Sequence, residues 1–355
     1  MASADRYAMP TDTDWKIPGA FDSHFRWEYE DGRPDLLNLY RKGKRLQWDA
    51  AERIDWSIDL DPENPEGLPD EGIPIFGWDG FARLSPRERA DLRRHYQAWQ
   101  LSQFLHGEQG ALICTAKIVQ QVPNIDAKFY AATQVMDEAR HVEAYSRLLH
   151  EKFELAYPLN PDLRTLLDQV LRDSRWDMTY LGMQIVIEGL ALAAFQLIRD
   201  AAKNPLAAAV NAYVMQDEAR HVAFGRLALR DYYPQLSDRE RDEREEFLVD
   251  ACYLMRNRFL AEEVWATLGL PVAECIAHTD RSEWMSTFRN FLFTRIVPNV
   301  KHIGLWGPRI QKAYQDMGVL ALGEIDAEAL QKEDEAVAER FDRELGVDTR
   351  RALQG

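Results

Sequence analysis

The chain has 355 residues, 46% of them hydrophobic and 10 of them tryptophan, enough for a substantial core. Its formal charge of −16, with no basic stripe, excludes nucleic acid as a partner. The three cysteines (Cys114, Cys252, Cys275) lack Cys-x-x-Cys spacing and point to a reducing, cytoplasmic setting; the opening MASADRYAMPTDTDW has no apolar signal core, and no apolar run approaches membrane-spanning length.

Residues 1–84 are rich in Pro, Gly, Asp and Trp, with one helix expected over about 34–53. The stretch 56–80 has turn chemistry throughout. Trp48, Trp56, Ile73, Ile75, Phe76 and Trp78 need burial, so this extension should be ordered, wrap the rest and sit at a subunit contact. Ser85-Pro86-Arg87-Glu88 is a capping box with proline at the first helical position, and it starts a helix running to about Gln121, before Pro123. Asn124 opens a second helix, about 125–155. Asn160-Pro161 opens a third that extends to about 201, with Gly182 marking a place for distortion, and Asn204-Pro205 a fourth, about 205–231. Ser237-x-x-Glu240 starts a helix to about 268, and amphipathic patterns follow at about 271–278, 281–300 and 326–341. Met255, Phe259, Trp265, Trp284, Phe288, Phe291, Leu292 and Phe293 read as packing residues, and the closing GVDTRRALQG as frayed. The expected fold is all-α: an irregular extension (1–84), a four-helix core (85–231) and accessory C-terminal helices (232–355) in the same domain.

Inside those helices one hexapeptide occurs twice, as Asp137-Glu138-Ala139-Arg140-His141-Val142 and Asp217-Glu218-Ala219-Arg220-His221-Val222. Glu-x-x-His on a helix places both side chains on one face. Thirty residues before each such glutamate another interrupts an apolar run: Glu108 in LSQFLHGEQGALIC and Glu188 in MQIVIEGLALAAF. Four carboxylates and two imidazoles on four helices form the ligand set of a carboxylate-bridged two-metal centre. Two divalent ions carry about four positive charges, which four carboxylates cancel. Without them an ionised carboxylate in an apolar bundle costs several kcal/mol, and the flanks of Glu188 offer no cation within a turn. Solvated glutamates and packed histidines would explain any one of these residues, but not six with matched spacing. A metal-bound histidine donates its second N–H to a carboxylate. The pseudo-twofold repeat therefore pairs Asp137 with His221 and Asp217 with His141 across the bundle; Arg140 and Arg220 either pair with these aspartates, the favoured reading, or face solvent.

The set resembles the ferritin-like di-iron carboxylate superfamily over about residues 85–231. Its Asp-Glu-x-x-His form is most similar to bacterial multicomponent monooxygenase hydroxylases and to the small subunit of ribonucleotide reductase. The resemblance implies a ferritin-like bundle holding two Fe ions, or a Mn/Fe pair. Glu108, Glu138 and His141 would bind one ion and Glu188, Glu218 and His221 the other, with Glu138 and Glu218 bridging and catalytic. The chain also departs from its relatives. The hydroxylases place threonine four residues after the third glutamate, where this chain has Leu192. Tyr145 occupies the position of the reductase's radical tyrosine, four residues after the first histidine, though a packed side chain with a satisfied hydroxyl is the preferred reading. Arylamine N-oxygenases carry another histidine one turn before the fourth glutamate, and that position is Val214.

The resemblance implies an oxidase or oxygenase that uses O2, through a bridging peroxide, on a small organic substrate, served by an electron-donor protein and working as a homodimer. His106, Gln109, Thr115, Tyr145, Gln184 and Phe195 lie within about two turns of a ligand and are the candidate pocket residues. The alternatives are iron handling as a ferroxidase, against which the chain's length and extension weigh, and radical supply to a larger enzyme, for which Tyr145 is the one hint.

Overall fold

Caps written into the sequence decide where the long helices begin. Ser85 accepts from the Glu88 backbone while Glu88 accepts from the Ser85 backbone at 2.8 Å, and Asn124, Asn160 and Asn204 each accept from backbone N–H groups of the turn they open. The computed structural model describes residues 21–26, 32–337 and 340, and every regular element among them is helical. The first 15 residues and GVDTRRALQG lie outside the described residues.

In the extension lie α1 (Pro34–Arg45), α2 (Ala50–Arg53) and α3 (Asp79–Arg83). The core follows with α4 (Pro86–Gln121), α5 (Ile125–Arg147), α6 (Pro161–Arg172), α7 (Trp176–Tyr180), α8 (Glu188–Ala201) and α9 (Pro205–Arg230). A π-helical turn, Leu181–Ile187, joins α7 and α8 into one rod, Trp176–Ala201. By length and composition this rod could cross a membrane, but 83% of its apolar window is buried inside the protein. Beyond it come α10 (Asp238–Asn257), α11 (Glu262–Thr267), α12 (Val272–Arg281), α13 (Glu283–Phe293), α14 (Val297–His302), α15 (Pro308–Asp316) and α16 (327–337). α4 packs on α5 and α8 on α9, while α1 lies across α5 and α9. One cluster of buried apolar side chains runs from Leu36 to Val319, so the extension and the later helices share the bundle's core.

Several expected elements are broken. The third helix stops at Arg172 and restarts at Trp176: Asp173 accepts from the Arg175 backbone at 2.9 Å, and Lys117 takes the carbonyls of Val170 and Asp173 at 3.0 and 2.6 Å. The helix expected over 34–53 divides because Asp49 caps a new start at Ala50, accepting from the Ala51 N–H at 2.8 Å. The second helix ends in a π turn, Leu148–Phe153, with Glu154 at φ +49°. The helix expected to reach 268 turns at Ala261 (φ +50°), where Trp265 donates to the Leu260 carbonyl at 2.7 Å and stacks on Tyr96. The 281–300 pattern splits into α13 and α14, and α15 was not foreseen although Pro308 at its first position was a start signal. In the extension Trp48, Trp56, Ile73 and Ile75 are buried as their apolarity demands, whereas Phe76 is exposed and meets Phe81 edge-on.

Candidate metal centre

Glu108 comes from α4, Glu138 and His141 from α5, Glu188 from the first residue of α8, and Glu218 and His221 from α9. All six are buried. His141 Nδ1 lies 3.2 Å from Glu108 Oε2, 3.3 Å from Glu138 Oε2 and 3.2 Å from Glu218 Oε1. His221 Nδ1 lies 3.1 Å from Glu138 Oε1 and 3.3 Å from Glu218 Oε1. Glu138 thus faces the two imidazoles with different oxygens and Glu218 faces both with one. Ligand atoms fall into two overlapping groups, Glu108, Glu138, His141 and Glu218, and Glu138, Glu188 and His221.

These contacts are mostly not hydrogen bonds. Glu138 Oε2, Glu188 Oε2, both Glu218 oxygens and His221 Nδ1 have no hydrogen-bond partner, so their lone pairs converge on shared space. The electrostatics agree. Burial, with the charge of Glu218, pushes the Glu108 and Glu188 carboxyls well above their usual range. Burial alone would depress the two imidazoles, but the carboxylates around them hold both well above it. Burial likewise opposes the ionised form of Glu138, and His221 and His141 overcome it and hold that carboxyl below its usual range. A cluster short of positive charge takes up protons in this way, and the donor set fits a pair of divalent cations.

Behind the cluster the two aspartates and two arginines interlock. His141 Nε2 lies 3.1 Å from Asp217 Oδ2, and His221 Nε2 lies 3.4 Å from Asp137 Oδ2, so each aspartate reaches the other repeat's histidine. Arg140 donates to Asp137 at 2.6 Å and to Asp217 at 2.8 Å, and Arg220 pairs with Asp217. Burial disfavours the Asp217 carboxylate, yet Arg220, His141 and Arg140 hold its carboxyl well below the usual range.

Three partners were not anticipated. Trp48 Nε1 donates to Asp217 Oδ2 at 2.8 Å, and Gln47 Nε2 donates to Asp137 Oδ1 at 2.7 Å, from a loop some 90 to 170 positions away in sequence. Nothing local in that loop announces the contact. Gln134 Nε2 donates to Glu138 Oε1 at 2.9 Å and to Glu188 Oε1 at 3.0 Å. Its place one turn before Glu138 on the same face was a readable signal.

Of the candidate pocket residues, Gln109 is exposed, and His106 is half-buried with Nε2 2.8 Å from the Tyr157 carbonyl, so neither faces the cluster. The other four are buried or nearly so. Tyr145 donates to Asn211 Oδ1 at 3.0 Å and packs between Phe104 and Phe195, with ring centroids 5.8 Å from each. That is a satisfied, packed tyrosine. Thr115 Oγ1 and both amide atoms of Gln184 are buried without a hydrogen-bond partner.

A family model described as p-aminobenzoate N-oxygenase AurF matches residues 30–304. Among solved structures, a variant of R2-like ligand-binding oxidase with an anaerobically reconstituted Mn/Fe cofactor is similar over 77% of this chain and 94% of its own, at 18% identity and a TM-score of 0.48. A second variant of that oxidase reaches 19% identity and a TM-score of 0.49 with the same coverage. A protein with aldehyde deformylating oxidase activity from Synechococcus is similar over 63% of this chain and 96% of its own, at 16% identity and a TM-score of 0.46. Likenesses at this level carry no function across. No protein of curated description matches the chain.

Proposed function

The chain belongs to the p-aminobenzoate N-oxygenase AurF family, and so to the ferritin-like di-iron oxygenases, and on that footing we propose that it oxygenates a small organic amine with O2. The observation that carries this is the convergence of six buried donors, most of their facing atoms without hydrogen bonds, on one space between four helices. Glu108 and His141 would hold one ion, Glu188 and His221 the other, and Glu138 and Glu218 would be shared. The bound pair, Fe/Fe or Mn/Fe, supplies the electrons that reduce O2.

The rest of the work falls to the chain. Asp217 and Asp137 accept from His141 and His221, which fixes ring direction and keeps Nδ1 turned inward. Gln134 ties Glu138 to Glu188 and so sets the angle of two carboxylates at once. Phe104, Tyr145 and Phe195 exclude water on one side of the cluster. An amine nitrogen is the favoured target because N-oxygenation is the reaction for which the family is described. Val214 supplies no imidazole one turn before Glu218, so the second ion would depend on Glu188, Glu218 and His221.

The reading extends to an electron-donor protein, to a homodimer formed through the extension, and to the cytoplasm, where three buried free thiols stay reduced. The test is to load the protein anaerobically with Fe(II), admit O2 with and without a small aromatic amine, and follow the near-ultraviolet and visible spectrum and the products. An unchanged spectrum and untouched amine would sink it.

A further inference from the structure

At the end of the bundle away from Phe104, Tyr145 and Phe195, several polar side chains are answered by nothing in the chain. Gln184 and Thr115 are fully buried, yet both amide atoms of the one and the hydroxyl of the other have no hydrogen-bond partner. Gln134, also fully buried, commits Nε2 to Glu138 and Glu188 and leaves Oε1 unpaired. The Tyr130 and Tyr180 hydroxyls are buried and unpaired too, and both rings pack on Phe224, with centroids 4.5 and 5.0 Å from it. Buried polar groups are paired as a rule, because each one left open lowers stability. Here α4, α5 and the rod Trp176–Ala201 each bring open groups to one end, beside Glu108, Glu138 and Glu188.

Their position suits a ligand that reaches the cluster. Gln184 stands four residues before Glu188, about 6 Å along the helix, and Thr115 seven after Glu108, about 10 Å. The pseudo-twofold that sets Phe104 against Phe195 puts Gln184 opposite Thr115. Gly225 gives Gln184 its place, since a Cβ there would stand 2.5 Å from Gln184 Cβ. The chemistry narrows the ligand further. A primary amide shows a donor beside an acceptor, and a second amide edge matches it with two hydrogen bonds, while a hydroxyl serves either partner. A carboxylate offers Gln184 Oε1 no proton, and the cations of this end are engaged. Lys117 and Lys128 hold backbone carbonyls, Arg33 pairs with Asp231, and Arg220 pairs with Asp217.

We propose that Gln184 and Thr115 bind an uncharged carboxamide of the substrate and so point the rest of that molecule at Glu108 and Glu188. An analogue without the N–H donor leaves a buried acceptor of the site unpaired and binds more weakly. The inference rests on the oxygenase reading for the fate of the remainder of the molecule, and it adds the group by which the substrate is held.

The experiment measures calorimetric binding of benzamide, methyl benzoate and benzoate to the iron-loaded full chain, with iron content and the O2-dependent spectrum recorded on the same samples. Benzamide should bind about tenfold or more tighter than methyl benzoate, which lacks the N–H donor, with benzoate weakest. Gln184→Met, close in shape to the native residue, should lose that preference and keep its iron. Thr115→Val should weaken benzamide several-fold and decides the matter alone if Gln184→Met does not fold. No binding of benzamide, equal binding of benzamide and methyl benzoate, benzoate as the tightest ligand, or a preference surviving in Gln184→Met overturns the proposal. Absence of an O2-dependent spectrum with the benzamide preference intact overturns the oxygenase reading instead and leaves the amide site standing.

Discussion

Four residues before Glu108, α4 carries Phe104, and at the equivalent position before Glu188 the rod Trp176–Ala201 carries Gln184. Seven residues after those glutamates stand Thr115 and Phe195, and seven after the two Glu-x-x-His glutamates stand Tyr145 and Gly225. Phe104, Tyr145 and Phe195 touch one another, with ring centroids 4.8 to 5.8 Å apart, so they lie at one end of the bundle. Their counterparts Gln184, Thr115 and Gly225 fall at the other end, where a Cβ on Gly225 would stand 2.5 Å from Gln184 Cβ. The repeat thus keeps its candidate ligands and inverts their surroundings. A shared metal pair would constrain the centre alike from both sides, whereas the ends are free to specialise, one aromatic and packed, the other polar with unpaired groups.

The comparison breaks most severely if the shared centre is removed. Glu218→Ala should lose one or both metals, read by elemental analysis of reconstituted protein, and retention of two equivalents would refute its role as a shared ligand. The two ends separate next. Phe195→Ala should lose about 3–5 kcal/mol in denaturant unfolding, while its counterpart Thr115→Val, which removes a buried hydroxyl without a partner, should be neutral or stabilising. Equal losses would mean the ends are not specialised.

Apart from both ends, Glu66 is fully buried without a hydrogen-bond partner and adds a pH signature. Burial raises its carboxyl from 4.5 to about 8. Between those values the unfolded chain has released the proton and the folded chain keeps it, so stability from this group falls as pH rises through that window. Glu66→Gln should melt above wild type at pH 8 and lose the advantage near pH 4.5; no pH-dependent difference would remove the buried acid from the account. At the polar end Gly225→Ala should cost about 1–3 kcal/mol, because the new methyl displaces Gln184. Tyr145→Phe should forfeit roughly 1 kcal/mol with its bond to Asn211 and keep both metals.

Much of the fold was legible because its signals are local. The caps at Ser85, Asn124, Asn160 and Asn204 place four helix starts, and the distortion expected around Gly182 is the π turn Leu181–Ile187. The break at 173–175 was not legible, since a lysine on another helix, Lys117, satisfies the carbonyls it exposes. His106 and Gln109 were misplaced for a related reason. Nearness along a helix says little about direction, and both point away from the face that carries Glu108.

By itself the sequence determined which six side chains could meet, because helical periodicity puts Glu138 with His141 and Glu218 with His221 on single faces and the matched spacing sets Glu108 and Glu188 level with them. Only the tertiary structure decided what stands behind and beside them: Trp48 on Asp217, Gln47 on Asp137, and Gln134 between Glu138 and Glu188. Such contacts rest on which distant segments exclude water from one another, and a carboxyl's charge depends on that exclusion far more than on its neighbours in the chain.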